Sequence, residues 1–173
     1  MAIDSDSPDS TRQAMLDAFT GLLADTPYAD ITIAAVATRA GLGRSAFYEH
    51  FKTKTDLLRR AFRPLFVVIA TAIDAAAPTP ELTNALHQMH ANFGLARLLA
   101  TEETRNLLLR SLASADEARL PPATHLPAVL LAAHIATVQF DMLEPWILGT
   151  STLTNDALAE TLCRTSHGLA NGG

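Results

Sequence analysis

The sequence is poor in cysteine, in charged residues and in long apolar runs. Its 173 residues include one cysteine, Cys163, so neither a disulfide nor a cysteine-rich zinc site can form within one chain. No run reaches the ~18 apolar residues that a membrane span requires, and the polar, acidic residues 1–10 lack the apolar segment of a signal peptide. These absences argue against a disulfide-bonded secreted domain and a membrane protein, and they predict a cytoplasmic protein.

β-alternation of useful length is also missing, whereas helical periodicity recurs along the chain. Hydrophobic residues make up 49% of the sequence and charged residues 18%, which is typical of a compact helical protein. Met15, Ala18, Phe19, Leu22 and Leu23 recur at three- and four-residue intervals and predict an amphipathic first helix over residues 11–24. Further helices are predicted over residues 33–40, 44–51 and 80–98, from Thr53 onward, and over residues 102–115, 124–148 and 154–168.

Motifs of the common enzyme classes are absent as well. The sequence contains no nucleophile elbow, no phosphate-binding loop and no metal-binding cluster, so no enzyme activity, no cofactor and no metal are predicted. His87 and His90 have a spacing that suits two metal ligands, but no further ligand completes a site. The Asp141 and Glu144 pair is more typical of a solvated helix face than of acid-base catalysis.

Positive charge is concentrated in one short segment of an acidic chain. The net charge is −5, yet the segment from Arg39 to Arg63 contains seven basic residues and two acidic ones. A basic segment in an acidic protein indicates one surface that meets a polyanion, although a solvated helix face is the simpler alternative.

A helix-turn-helix pattern lies at the start of this basic segment. Ala37 is small where two helices must cross, Gly41 suits the tight turn, and Phe47 provides an apolar anchor for the helix that follows. That helix would enter the major groove, so Arg44 and Ser45 are predicted to contact base edges. Contacts to DNA phosphates are predicted for a second set of residues: Thr32, Tyr48, His50 and Lys54.

The run from Thr32 to Leu58 resembles the DNA-binding region of the TetR family of regulators. The matching residues are Thr32, Ile33, Ala37, Ala40, Gly41, Phe47, Tyr48, His50, Phe51, Lys54, Leu57 and Leu58. The resemblance implies an all-α chain, with an N-terminal three-helix helix-turn-helix domain followed by a helical effector-binding and dimerisation domain. It further implies a homodimeric repressor that a small, largely apolar effector releases from double-stranded operator DNA. Residues 43–46 depart from the usual family sequence, so the operator sequence stays undetermined.

The predicted domain organisation follows from the loops. Residues 1–10 are expected to form a flexible tail, and residues 11–53 the helix-turn-helix domain. Residues 54–77 are expected to form a connecting helix that Pro64 kinks or divides. Two prolines, Pro78 and Pro80, then mark the start of the effector-binding and dimerisation domain at residues 78–173.

Two sets of residues in this last domain are candidates for further contacts. Apolar residues with a few polar groups are typical of ligand pockets, although ordinary core packing explains them equally well. The effector candidates are His87, His90, Phe93, His134, Phe140 and Asp141. The resemblance places a dimer interface on residues 132–148 and the Thr154-capped helix that follows, with burial in the chain's own core as the alternative. The interface candidates are Leu131, Ile135, Val138, Met142 and Trp146.

One alternative remains beside the regulator interpretation. A helical interaction protein that has lost DNA binding would also fit the acidic overall charge. Cys163 is interpreted as a small buried residue rather than a redox switch, since Arg164 is its only basic neighbour in the sequence.

Overall fold

The fold is built from helices, as the sequence predicts. A computed structural model describes residues 8–90, 96, 98–122 and 124–172, and these residues contain no β-strand. No helix in this part of the chain is long and apolar enough to cross a membrane. Two short 3-10 helices span Tyr28–Asp30 and Ala70–Ile73. The α-helices are α1 (Pro8–Leu23), α2 (Ile33–Arg39), α3 (Arg44–His50), α4 (Lys54–Ile69), α5 (Pro80–His90), α6 (Glu102–Glu117), α7 (Ala128–Ile147) and α8 (Asn155–Asn171).

The chain divides into two compact units, with the boundary between Ala61 and Phe62. In unit 1, helices α1, α2 and α3 pack on one another. In unit 2, α7 packs on both α6 and α8, and α8 also packs on α5 and on the second 3-10 helix. Helix α4 continues across the boundary. Pro64 lies inside α4 and does not divide it, so the predicted division is wrong and the kink stays a prediction.

Each unit has its own apolar core. In unit 1, Met15, Phe19, Val36, Phe47 and Leu57 are fully buried. The first two belong to the apolar stripe predicted for α1. In unit 2, the fully or almost fully buried residues include Ile135, Leu143, Trp146, Leu158 and Leu162.

Several helix ends differ from their predicted positions. Helix α1 begins at Pro8 instead of residue 11, since proline is favoured in the first turn, where its missing N–H is not needed. Helix α7 begins at Ala128 instead of residue 124, because Pro127 before it has an extended backbone. Helix α8 continues to Asn171, beyond the predicted end at Gly168. Residues 91–95 and 97 of the predicted 80–98 helix lie outside the described part of the chain.

Candidate nucleic-acid interface

Helix α2, which precedes the turn to α3, is capped at both of its ends. At its start, the Thr32 hydroxyl oxygen accepts a hydrogen bond from the Ala35 N–H at 3.1 Å. At its end, Gly41 has φ +70°, and the Leu42 N–H donates to the Ala37 carbonyl at 2.8 Å. This pattern is a Schellman motif, which requires a left-handed residue that glycine supplies without steric strain. The turn therefore sets where α3 starts and in which direction it leaves.

Helix α3 has one buried side chain and a polar exposed face. Phe47 is fully buried, and its ring lies 5.5 Å from those of Phe51 and Tyr48. Arg44 and Ser45 are exposed in the first turn of the helix, and Tyr48 is 60% exposed one turn later. Anchoring by Phe47 thus leaves the face with Arg44 and Ser45 open to solvent, as a recognition helix requires.

The basic segment contributes fewer free cations than its composition indicates. The Arg60 guanidinium pairs with Asp56 at 3.1 Å. The Arg39 guanidinium lies over α1, where Nη2 is 3.0 Å from the position that a Cβ on Gly21 would occupy. By contrast, the Lys52 side chain is exposed beside the C-terminal end of α3, which makes it a phosphate-contact candidate that the sequence did not single out.

Three of the predicted phosphate contacts lie on the surface of unit 1. Thr32 is exposed, and its capping bond occupies an oxygen lone pair and not the O–H donor. Tyr48 is exposed, and His50 is half-buried with its ring 6.4 Å from that of Phe51. Donor groups of this kind suit contacts to phosphate oxygens.

The fourth predicted phosphate contact, Lys54, has a different role in the structure. Its Nζ donates to the backbone carbonyls of Tyr28 at 2.7 Å, Ala29 at 3.2 Å and Ile31 at 2.8 Å. It also lies 4.3 Å from the centroid of the Tyr28 ring. An ammonium has three N–H donors, and these carbonyls use all of them. Lys54 therefore ties the start of α4 to the connection between α1 and α2.

Replacement of Lys54 by methionine tests this role. We expect K54M to lower the free energy of unfolding of unit 1 by about 2 to 3 kcal/mol, because the hydrogen bonds to a charged donor are lost. Denaturation followed by absorbance of Tyr28 and Tyr48, the two tyrosines of the chain, measures this change.

The matched control is the exposed neighbour Lys52. K52M should leave stability unchanged and reduce the salt dependence of DNA binding by about one phosphate contact. If K54M were as stable as the wild type and its DNA binding depended less on salt, Lys54 would instead be a phosphate contact.

The predicted effector residues that the structure describes differ in exposure. His87 is exposed, and its Nδ1 lies 2.9 Å from the Thr83 carbonyl oxygen one turn earlier in α5. His134 and Asp141 are exposed on α7, whereas Phe140 is buried. The His90 side chain and the whole of Phe93 lie outside the described residues.

The acidic pair on α7 forms an ion-pair network with α6. The Arg105 Nε lies 2.9 and 3.1 Å from the two carboxylate oxygens of Glu144, and its Nη2 lies 3.9 Å from Asp141. The same guanidinium lies 5.3 Å from the centroid of the Phe140 ring. These contacts give the pair a packing role between two helices.

Three predicted dimer residues are instead part of the core of unit 2. Leu131 and Trp146 are 1% exposed, and Ile135 is fully buried. They are covered because α7 packs between α6 and α8. Val138 and Met142 are half-buried. The large exposed apolar residues of α7 are Val129 at 59% and Leu130 at 60%, which adjoin the predicted residues but lie on another face.

The remaining site candidates are potential metal ligands and the thiol of Cys163. No group of three metal-binding side chains occurs among the described residues. Cys163 is buried, and burial raises the pKa of its thiol above the ordinary 9.0. A raised pKa disfavours the reactive thiolate, which fits a packing role for Cys163.

Comparison with known proteins identifies relatives of the N-terminal part. Residues 15–61 match the model described as bacterial regulatory proteins, tetR family. The HTH-type transcriptional repressor LfrR of Mycolicibacterium smegmatis is 38% identical over 78 residues, which are 45% of this chain and 40% of LfrR. The similarity thus spans well under two thirds of that relative.

Solved structures resemble the chain over most of its length. A TetR transcriptional regulator from Streptococcus agalactiae has a TM-score of 0.57 and 21% identity, over 92% of this chain and 94% of that one. A TetR-family regulator from Streptomyces coelicolor has a TM-score of 0.57 and 19% identity, over 98% of both chains. At this level of identity the likeness establishes the fold of the chain.

Proposed function

We propose that the chain is a homodimeric repressor of transcription of the tetR family of bacterial regulatory proteins, whose model residues 15–61 match. The observation that supports DNA binding is the exposed face of α3, which Phe47 anchors from behind. In this proposal, the α3 helices of two protomers enter successive major grooves of a pseudo-palindromic operator, about 34 to 36 Å apart. Arg44 and Ser45 contact base edges, while Thr32, Tyr48, His50 and Lys52 contact phosphates.

Binding to DNA that flanks the coding region tests this proposal. Fluorescence anisotropy at several salt concentrations should give a tight, sequence-dependent complex of two chains that weakens steeply as salt rises. Sequence-indifferent weak binding, with no preference for any flanking fragment, would favour the alternative of a helical interaction protein.

Arg44 provides the sharpest test of base recognition. R44A should weaken operator binding by about 1 to 3 kcal/mol and relax the preference at one base pair, because a bidentate contact to a guanine is lost. The exposed R59A variant on α4 is the control, for which no loss of base preference is expected. If R44A kept the full base preference of the wild type, Arg44 would not be a base-contacting residue.

For the dimer interface, we propose the face of α7 that unit 2 leaves uncovered. Val129 and Leu130 are more than half exposed, and Ala133 and Thr137 continue this face at helical spacing. Exposed apolar residues grouped on one helix are typical of protein interfaces. The proposal therefore moves the interface from the predicted residues to their exposed neighbours on the same helix.

A charge at Leu130 should separate the protomers. We expect L130E to weaken dimerisation at least tenfold in analytical ultracentrifugation, since two copies of the carboxylate would be desolvated near the two-fold axis. Thermal stability of the monomer should change little, because the residue is 60% exposed. V67E, at an exposed apolar residue of α4, is the control and should leave the dimer intact.

Release by an effector is the last element of the proposal. The effector binds unit 2 more tightly in a dimer conformation that does not fit the operator than in the one that does. Its binding therefore shifts the population away from the conformation that fits the operator. Helix α4, which runs from Lys54 to Ile69 across the unit boundary, is the covalent route for this change. A pair of structures with and without effector tests the proposal, and unchanged spacing of the two α3 helices would contradict it.

A further inference from the structure

A cluster of polar side chains is buried in the core of unit 2. Asp116 on α6 and Gln139 on α7 are fully buried, and Ser166 on α8 is 1% exposed. The Gln139 Nε2 donates to the Ser166 Oγ at 3.0 Å. In the described part of the chain, the buried side-chain oxygens that lack a hydrogen-bond partner are Asp116 Oδ1, Asp116 Oδ2 and Gln139 Oε1. All three are acceptors, so the cluster lacks donors.

The chain does not neutralise the buried carboxyl group of Asp116. Arg119 favours its charged form, but the Arg119 guanidinium is paired with Asp74. Desolvation dominates and raises the pKa of Asp116 to about 8. A weak side-chain hydrogen bond from the Gln139 amide, too long or too bent to satisfy the carboxyl group, and the charge of Arg119 oppose this shift with smaller effects. Asp116 also lies in the last turn of α6, where the helix dipole disfavours a negative charge. A buried carboxyl group with unmade hydrogen bonds is destabilising, and such groups are concentrated at functional sites.

We propose that Asp116, Gln139 and Ser166 bind the ammonium group of the effector, which is an organic amine with an apolar body. This inference rests on the proposed effector-released function and specifies its ligand class. A primary ammonium supplies three N–H donors, which the poorly satisfied oxygens of Asp116 and Gln139 can accept. Its positive charge offsets the carboxylate and is favoured at the C-terminal end of α6.

The surroundings of the cluster fit such a ligand. Fully or almost fully buried apolar residues lie one helical turn away on each of the three helices, namely Leu112, Ile135 and Leu162. These residues would contact the apolar body of the amine. Asp116 is one residue from the end of α6, so the cluster lies near the edge of that helix.

A single bound proton is the competing occupant of the cluster. A protonated Asp116 can donate one hydrogen bond to Gln139 Oε1, which satisfies two of the three oxygens and leaves one unpaired. The titratable groups nearest to the cluster along the chain are Glu117 beside Asp116, Cys163, Arg164 and His167 within one turn of Ser166 on α8, and the Asp74–Arg119 pair. Proton and amine make opposite demands on Asp116, because only the amine requires its charged form.

The test uses the full chain with benzylamine as the probe and benzyl alcohol as its uncharged match. Trp146 is the single tryptophan and is buried in unit 2, so its fluorescence reports thermal unfolding of that unit. Benzylamine should raise the midpoint of thermal unfolding, and this increase should saturate as the benzylamine concentration rises. The increase should be larger at a pH above the pKa of Asp116 than at a pH below it. D116N should weaken this binding about tenfold or more, as expected when a hydrogen bond to a charged group is lost.

The control variant is D141N, which removes an exposed carboxylate from α7 and should bind benzylamine like the wild type. Three outcomes would overturn the proposal. If benzylamine does not change the unfolding midpoint, the cluster holds a proton only. If benzylamine and benzyl alcohol raise the midpoint equally, the carboxylate is not used. If D116N responds to benzylamine like the wild type, the amine binds elsewhere.

A separate readout distinguishes this proposal from the proposed function. If benzylamine binds through Asp116 and leaves operator affinity unchanged, the amine site stands and effector release fails. If the chain binds operator DNA and does not bind amines through Asp116, the DNA-binding function stands and the amine site fails.

Discussion

Phe47→Ala is expected to weaken operator binding strongly because it destabilises unit 1. Phe47 is fully buried behind the exposed face of α3 and contacts the rings of Phe51 and Tyr48. Replacement of a buried phenylalanine by alanine costs about 3 to 5 kcal/mol, because apolar contacts are lost and a cavity remains. Small domains have total stabilities of about 5 to 15 kcal/mol, so this loss removes a large share of the folding free energy of unit 1.

The two units carry separate optical reporters, which makes this prediction precise. Tyr28 and Tyr48 lie in unit 1, and Trp146 lies in unit 2. F47A should shift the denaturation midpoint seen in tyrosine absorbance far more than the midpoint seen in tryptophan fluorescence.

Tyr48→Ala is the matched control for F47A, since it removes the neighbouring aromatic ring on the exposed side of α3. Tyr48 is 60% exposed, so Y48A should reduce DNA affinity with little loss of stability. If F47A denatured like the wild type and still lost DNA binding, Phe47 would be a contact residue and not an anchor.

The turn between α2 and α3 in unit 1 was largely predictable because its signals are local. A threonine before an apolar run predicts the start of α2, and the structure shows the Thr32 cap. A glycine after the run predicts its end, and Gly41 has the left-handed conformation that ends the helix. Both features depend on a few consecutive residues, so the local sequence is sufficient to predict them.

The role of Lys54 was not predictable in the same way. Its hydrogen-bond acceptors lie 23 to 26 residues earlier in the chain, and the folded unit brings them to the ammonium. A lysine near a recognition helix favours a phosphate contact on charge alone. The structure shows that backbone carbonyls compete for the same donors.

The inward face of α7 was ambiguous because this helix is apolar on more than one side. Leu130 and Leu131 are adjacent in sequence, yet Leu130 is 60% exposed and Leu131 is 1% exposed. Helical periodicity gives little contrast when neighbouring faces have similar hydropathy. Only the packing of α6 and α8 against α7 distinguishes the buried face from the exposed one.

The buried polar cluster has a signal in the sequence, namely polar residues within apolar helical stripes. Leu108, Leu112 and Asp116 are spaced by four residues on α6, so an aspartate occupies the next position of an apolar stripe. Gln139 continues a similar stripe on α7 after Leu131 and Ile135. A polar residue inside an apolar stripe indicates a buried polar group, and the identity of its neighbours emerges only from the fold.

Asp116 should make the stability of unit 2 fall as pH rises. Its pKa is about 8 in the folded chain and has the ordinary value of 3.8 in the unfolded chain. Below the lower value both states hold the proton and the full stability is present. Between the two values the folded state keeps a proton that the unfolded state releases, so stability is lost with rising pH at about 1.4 kcal/mol per pH unit. From pH 5 to pH 8 the predicted loss from this group is about 4 kcal/mol.

Asp116→Asn isolates this contribution, because asparagine has the same shape and does not titrate. Urea denaturation followed by Trp146 fluorescence should show that D116N exceeds the wild type in stability by an amount that grows from pH 5 to pH 8. All other titrating groups are common to both proteins and cancel in the difference, and Cys163, whose pKa lies above 9.0, titrates outside this range. A difference that does not change with pH would mean that Asp116 is charged throughout, which would require a cation beside it that the folded chain supplies.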